Sequence, residues 1–254
     1  MFTIERRDKI KALLLEKQSV QVSELSKLYD VSYETIRRDF DAMEQEGFLT
    51  RTYGGAVLKK HVQREVQYDV LSTLFLENKR RIADEAIKHI SANDCIFLDH
   101  STTAFQLISR IEDIKLTVMT NSLKALSKLS ESKSNTLVST GGILNKDLYC
   151  FLGSTAEKTV KNFHMDKAFI SCGSIDMQHG ICDKFEQVAD MRRSIINNAE
   201  SVYLLMDYTK FDKITFAKIC DVDRITAVIT DHKLPCKWVE YFKSQAIEYY
   251  EARK

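Results

Sequence analysis

No stretch of the 254 residues approaches the ~20 consecutive apolar positions of a membrane-spanning helix, and the opening Met1-Phe2-Thr3-Ile4-Glu5-Arg6-Arg7 is too charged for a secretory leader. A cytoplasmic protein without membrane contact is expected. Cysteine occurs six times (Cys95, Cys150, Cys172, Cys182, Cys220, Cys236) but never as C-x-x-C, and the six histidines show no ligand spacing with them. This favours buried, reduced thiols over a disulfide framework or zinc centre; neither metal nor cofactor is expected. Net charge is missing too: Lys+Arg 37 against Asp+Glu 36 gives +1, and residues 1–60 hold 11 basic and 10 acidic side chains. Any affinity for nucleic acid must come from where single cations stand. Between Gly55 and Gly141 there is neither glycine nor proline, so the polar segment 58–77 (Lys59-Lys60-His61, Gln63-Arg64-Glu65) reads as a partly ordered connection rather than a floppy tether.

What is present begins with a pattern in the first sixty residues. Ile10, Leu13 and Leu14 recur at helical spacing between Ile4 and Lys17, Ser23–Tyr29 offers a short helix with Leu25 and Leu28 on one side, and Asp30-Val31-Ser32 reads as a tight turn. Beyond it, Ile36, Phe40 and Met43 fall at i, i+4 and i+7, so one stripe packs inward while Tyr33, Thr35, Arg37 and Arg38 lie on other faces. Ser32 suits the N-cap and Gly47 the left-handed C′ position. Helix, short helix, turn, helix is the helix-turn-helix order, whose last helix enters the major groove. Phe48–Val57 reads as a small β-hairpin, a wing whose Arg51 can reach phosphates or the minor groove. Arginine suits this task because its planar fork grips guanine O6/N7 or a phosphate with two bonds. Without this context the same arginines would be a solvated helix face. Arg6, Arg7, Arg37, Arg38, Arg51, Lys59 and Lys60 are the cations available for DNA, too few in one copy for tight binding, so an oligomer is expected.

From Asn78 a helix with Ile82, Ala86 and Ile90 on one side opens a second domain, followed by alternating strands and helices: strands at 95–99, 116–120, 136–139, 167–172, 201–207, 225–229 and 247–250, helices at 104–111, 122–131, 154–163, 188–199 and 238–245. That rhythm predicts an α/β fold with a mainly parallel sheet, whose ligands bind beyond the carboxyl ends of the strands. Polar residues gather there: Asp99-His100-Ser101-Thr102-Thr103, Thr120-Asn121-Ser122, Gly141-Gly142 and Asp207-Tyr208-Thr209-Lys210. Helix starts favour anions, glycine pairs let a ligand approach the backbone, and lysine is a point charge for phosphate. Ser, Thr and Asn at these places also serve simply as caps.

The first sixty residues resemble the DeoR family of bacterial transcription regulators, on Val31-Ser32-x-x-Thr35-Ile36-Arg37-Arg38-Asp39, Glu46-Gly47 and Arg51-x-x-Gly54-Gly55-Ala56, with Phe40 where leucine is usual and Tyr53 where histidine is common. Asp94-x-Ile96-x-Leu98-Asp99-x-Ser101-Thr102-Thr103, Val118-x-Thr120-Asn121-Ser122, Gly141-Gly142, Gly173-x-Ile175-Asp176 and Asp207-x-x-Lys210-Phe211 extend the resemblance to that family's sensor domain. It implies a winged helix-turn-helix at 1–57, a linker at 58–77, and at 78–254 an α/β domain similar to ribose-5-phosphate isomerase that binds a phosphorylated sugar. It further implies a regulator, a repressor or activator of a carbohydrate-use operon, acting as a homodimer or homotetramer on operator DNA. Ser32, Tyr33, Thr35, Arg37, Arg38 and Arg51 would meet DNA. Asp99 would hold sugar hydroxyls, Ser101, Thr102 and Thr103 cradle phosphate with Lys210, Thr120, Asn121, Gly141 and Gly142 line the site, and Asp176, Lys184 and Glu186 face the sugar's other end. Ser101 and Ser174 stand where the family often has glycine, and His100 is either a ligand contact or a surface residue. An isomerase with a DNA-binding appendage is the competing reading; it would need Glu186 or Asp176 as its base.

Overall fold

The computed structural model describes residues 2–59 and 67–252, and the chain divides into two compact units, Met1–Phe75 and Leu76–Lys254. In the first, α1 (Thr3–Lys17), α2 (Val22–Tyr29) and α3 (Tyr33–Gln45) precede a small antiparallel sheet of β1 (Ser19–Gln21), β2 (Leu49–Arg51) and β3 (Gly55–Leu58) in the order β1-β3-β2. Ile10, Leu14, Leu25, Ile36, Phe40, Met43 and Leu49 form its core. Leu28, expected beside Leu25, is 63% exposed: the inner stripe of α2 runs through Val22, Leu25 and Tyr29, and Leu28 falls to its side. α3 ends as its sequence dictates. Gly47 takes φ +78°, and the N–H groups of Gly47 and Phe48 donate to the oxygens of Glu44 and Met43, both at 2.9 Å, closing the helix with a Schellman motif. Of the expected connection 58–77, Leu58 ends β3, a helix at Gln67–Thr73 belongs to this unit and Leu76 opens the next helix; residues 60–66 lie outside the described residues.

The second unit is built on seven parallel strands: β4 (Cys95–Leu98), β5 (Leu116–Thr120), β6 (Asn135–Ser139), β9 (Met165–Ile170), β12 (Ala199–Met206), β14 (Ala227–Thr230) and β15 (Glu248–Glu251), ordered β15-β14-β12-β9-β4-β5-β6. Successive residues of each strand face opposite sides. Tyr203 and Leu205 pack with helices Leu76–Ala86, Ile108–Ile111 and Leu123–Leu129, whereas Leu204 and Met206 pack with Ser154–Lys161, Glu186–Ile196 and Cys236–Ser244. From β4 the chain runs outward through β5 and β6, then returns to β9 on the other side of β4. The strand order therefore reverses between β4 and β9, and connections leave their carboxyl ends in opposite directions, which opens the crevice used by ligands in such sheets.

Six strands were not legible in the sequence: β1 in the first unit, and in the second the hairpin β7 (Ile143–Asn145) and β8 (Cys150–Leu152) and the antiparallel sheet β10 (Ser174–Asp176), β11 (Gly180–Asp183) and β13 (Ala217–Cys220). Each is three or four residues long and is held by antiparallel pairing with its neighbours, which no local pattern marks. The expected helix Ala104–Ile111 is a 3₁₀ turn, Ala104–Leu107, followed by a single α-turn, so the dipole available to an anion is smaller than anticipated. The cysteines are all thiols; Cys150, Cys172 and Cys182 are buried, but Cys236 is exposed, against the expectation of burial.

Candidate nucleic-acid interface and effector site

On α3 the N-cap is Ser32, whose Oγ accepts the Thr35 N–H at 3.1 Å and lies 2.9 Å from the Thr35 hydroxyl. Tyr33, Arg37 and Arg38 are exposed. Tyr33, Arg37, Arg51 and Tyr53 line a cleft of about 310 Å³ between α3 and the wing. The arginines are not equivalent: Arg38 pairs with Glu34 at 3.4 Å and Arg51 with Asp41, whereas Arg37 makes no ion pair among the described residues. Arg6 departs from expectation. It is 6% exposed, and its Nε donates to Asp39 at 2.6 Å, while Arg7 donates to the same carboxylate at 2.9 Å. These two cations anchor α1 to α3 rather than reaching phosphate; Lys60 lies outside the described residues. Arg37→Ala should weaken operator binding by about 1–3 kcal/mol with the loss concentrated at one base pair, and Arg38→Ala by less, because Glu34 already holds that side chain. An equal effect on all sequences in a binding titration would make Arg37 a phosphate anchor instead.

Where the strand order reverses between β4 and β9, four of the candidate residues, Asp99, Ser101, Lys184 and Lys210, are joined by one network centred on buried Asp99. Asp99, 1% exposed, accepts the N–H of Ser101 at 2.9 Å on one oxygen. Its other oxygen accepts the N–H of Ser171, beyond β9, at 3.1 Å and two N–H groups of Arg192 at 3.0 and 2.9 Å. Arg192, in helix Glu186–Ile196, also pairs with Asp183 at the end of β11, and Asp183 accepts the main-chain N–H of Lys184 at 2.7 Å. In the 3₁₀ turn Tyr208–Lys210 beyond β12, Lys210 donates to the Ser171 hydroxyl at 2.8 Å, with Asp207 3.8 Å away. The loops carrying Ser101, Ser171, Lys184 and Lys210 are thus tied together through Asp99 and Arg192.

The other candidates fall around this network with different duties. Thr120, 0% exposed, donates to Leu98 O at 2.6 Å and accepts the Ser122 N–H at 3.0 Å, fastening β5 to β4. Asn121 is buried beside His100. Ser101 also caps the following turn through the Ala104 N–H at 3.1 Å, Thr102 is half-buried, and Thr103 is buried. Gly142 has φ +107°, and a Cβ there would meet Leu152 O at 2.8 Å, so the loop after β6 requires glycine; at Gly141 the space is open. Asp176 accepts from Gln178 and His179 and closes the β10–β11 turn. Lys184 and Glu186 are exposed. Arg192, Asp183 and Ser171 carry no motif that marks them in the sequence. Arg192-Arg193 looks like a solvated pair; the signal available was that Arg192 lies four residues beyond Val188 and three before Ile195, on the stripe that packs inward.

Burial drives the electrostatics. It pushes the Asp99 carboxyl up, but the adjacent Arg192 guanidinium and the donors from Ser101 and Ser171 outweigh it and hold Asp99 below the ordinary range. Arg192 is pushed down by burial and more strongly up by Asp183 and Asp99. Burial, then Arg192, lowers His100 to about 4; burial lifts the thiols of Cys150 and Cys172 to about 12. His100 is therefore a buried, uncharged ring and not a surface residue. Because the unfolded chain takes up the proton near 6.5 and the folded chain near 4, stability is full above about pH 6.5 and is lost as pH falls toward 4, by about 3 kcal/mol. Denaturant titrations followed by Trp238 fluorescence should show this loss in the wild-type protein and a flatter limb in His100→Phe; equal limbs would assign the loss to other groups.

Two family profiles match in order, the DeoR-like helix-turn-helix domain over residues 6–62 and the DeoR C-terminal sensor domain over 75–232. The chain is 36% identical over 234 residues to the uncharacterized HTH-type transcriptional regulator YulB of Bacillus subtilis (strain 168), covering 92% of this chain and 91% of the relative. A putative aga operon transcriptional repressor of Escherichia coli O157:H7 is 32% identical, covering 97% and 93%, and the L-fucose operon activator of Haemophilus influenzae is 30% identical, covering 91% and 93%. In fold, the α/β unit resembles ribose 5-phosphate isomerase A of Methanocaldococcus jannaschii, at 17% identity and a TM-score of 0.40 over 54% of this chain and 55% of that one. Among the described residues, no helix is long and apolar enough to cross a membrane. With one profile matched over the helix-turn-helix segment and the other over most of the α/β unit, the chain belongs to the DeoR family of transcriptional regulators.

Proposed function

We propose that this regulator represses a carbohydrate-use operon and releases its operator when a phosphorylated sugar occupies the crevice between β4 and β9. The observation that carries this reading is the network through Asp99 and Arg192, which joins four polar loops at the strands' carboxyl ends. A phosphate would lie on the Ser101–Thr103 loop and the Gly141-Gly142 backbone near Lys210, with Asp99 and Asn121 toward the sugar hydroxyls and Thr120 holding the strands in register. Asp176, Lys184 and Glu186 would border the far end. The relatives named for the aga and L-fucose operons support a sugar as the signal. We read the unit as non-catalytic: Asp176 is spent on its own turn and Glu186 is exposed. Two copies on a two-fold operator would double the phosphate contacts of a nearly neutral DNA-binding unit.

The ligand can act only through different affinities for the operator-bound and released states, typically a coupling of about 1–3 kcal/mol. The test is a thermal-shift screen of sugar phosphates beside their unphosphorylated parents, followed by operator release with each hit. At 100 times its dissociation constant a ligand adds about 2.7 kcal/mol, a rise of several degrees confined to phosphorylated compounds. Equal shifts with the parent sugars would remove phosphate from the reading. A promoter fused to a reporter separates repression from activation.

A further inference from the structure

At the carboxyl end of β4 the His100 ring, 7% exposed, adjoins Asn121, which is 0% exposed. The surroundings orient the Asn121 amide: Nδ2 donates to Phe151 O at 3.4 Å, and the flipped amide would set two oxygens against each other. The same Nδ2 lies 3.4 Å from His100 Nδ1, so Nδ1 is the acceptor and the uncharged ring carries its proton on Nε2. The charged groups around the ring are Asp99 on its own strand end, Asp183 from β11 and Arg192 from helix Glu186–Ile196. Two hydrogen-bonding positions here are unspent among the described residues. One is the Nε2–H of His100. The other is Asn121 Oδ1, a buried acceptor without a partner. Buried polar atoms are ordinarily satisfied, and this one lies at the strand ends where ligands of such sheets bind.

We propose that His100 and Asn121 are the hydroxyl-reading end of this site, the imidazole N–H donating to a hydroxyl of the ligand and the amide oxygen accepting from a hydroxyl. This rests on the sugar-phosphate reading above and adds the groups by which this chain tells one sugar from another. Hydroxyls answer both positions because they donate and accept. A methylene answers neither, and would leave polar groups of the protein buried without partners. Sites built to bond a hydroxyl reject the deoxy compound strongly, whereas apolar pockets discriminate only weakly. The ligand class is thus a phosphorylated polyhydroxy compound with a hydroxyl retained at this end.

The experiment uses full-length protein and isothermal calorimetry with ribose 5-phosphate, glucose 6-phosphate, fructose 6-phosphate and tagatose 6-phosphate, then the deoxy analogues of each compound that binds. His100→Phe keeps a ring but no donor; His100→Gln keeps a donor. The wild type should prefer one hydroxylated compound over its deoxy analogue by roughly 100-fold or more. His100→Phe should collapse that preference to less than roughly 10-fold, and His100→Gln should restore part of it. Nitrogen-15 spectra of the ligand-free wild type should show the Nε2–H tautomer, a reading that needs no ligand. If sugar phosphates bind wild type and His100→Phe with the same preference, or the ring carries its proton on Nδ1, this inference falls while the sugar-phosphate reading stands. If neither these four compounds nor any phosphorylated member of the thermal-shift screen binds the wild type, the reading falls and takes this inference with it.

Discussion

Replacing Arg192 by leucine should lower the melting temperature of the α/β unit by roughly 10 °C. Arg192 and Asp99 are buried and bonded by two N–H groups, and Asp183 takes a third. Removing one partner of a buried ion pair costs about 3–5 kcal/mol because the other charge stays buried without compensation, and each kcal/mol moves the midpoint of a unit this size by roughly 2–4 °C. Lysine should not rescue, since an ammonium cannot serve two carboxylates with the guanidinium's fixed fork. The pH response gives the diagnosis. In the wild type the Asp99 carboxyl is held low, so its contribution is complete above the ordinary carboxylate range and is lost as pH falls through the lowered value. In Arg192→Leu the same carboxyl, buried and unpaired, has its proton affinity raised, so the variant regains stability on mild acidification where the wild type gains none. Trp238 is the chain's one tryptophan and is buried in this unit, so its fluorescence reports the melt. A midpoint within 2 °C of wild type would show that solvent or a rearrangement compensates both carboxylates, and that the network does not hold the crevice together.

The sequence discloses those parts of the fold whose periodicity runs long enough to be read. α3 is legible from Ile36, Phe40 and Met43, and both its ends from Ser32 and Gly47, because caps and apolar stripes are local properties. β12, with its unbroken apolar run Val202–Met206, is legible for the same reason, and so is the parallel sheet. β10, β11 and β13 are not: what makes Ser174, Cys182 and Ala217 strand residues is mutual pairing, and nothing local marks it. At the crevice, polar residues at strand ends announced a site, but the partner of Asp99 lies 93 residues away on a helix. Arg192 is read from sequence as solvent-facing because arginine usually is. Arg6 misled in the same way, since a cation near a DNA-binding helix resembles a phosphate contact until Asp39 is seen beneath it.

That buried carboxylate sets the second large effect. Asp39→Ala should unfold or nearly unfold the DNA-binding unit while leaving the Trp238 transition of the α/β unit in place. Asp39 is 1% exposed and lies on the inner side of α3; it accepts from Arg6 at 2.6 and 3.3 Å and from Arg7 at 2.9 Å. Alanine would leave the Arg6 guanidinium buried without an acceptor, at about 3–5 kcal/mol. A domain of fewer than about 80 residues rarely draws more than 3–5 kcal/mol from its single core, so that loss removes most of the margin. Arg7, half-exposed, can turn to water and adds less. The variant should lose helical circular dichroism and operator binding together, whereas Arg37→Ala should lose binding and keep its helices. This contrast separates an anchor beneath the recognition helix from a contact on its surface. The double variant Arg6→Met with Asp39→Leu supplies the check on cause: with both charges gone and apolar volume in their place, a buried pair can be replaced with little loss, and helicity should return. If the double variant stays unfolded while its core residues are intact, Asp39 acts through something other than its pairing with Arg6. If Asp39→Ala alone binds operator as the wild type does, α1 is held to α3 by Ile10 and Leu14 packed against Ile36 and Phe40, and the ion pair is dispensable.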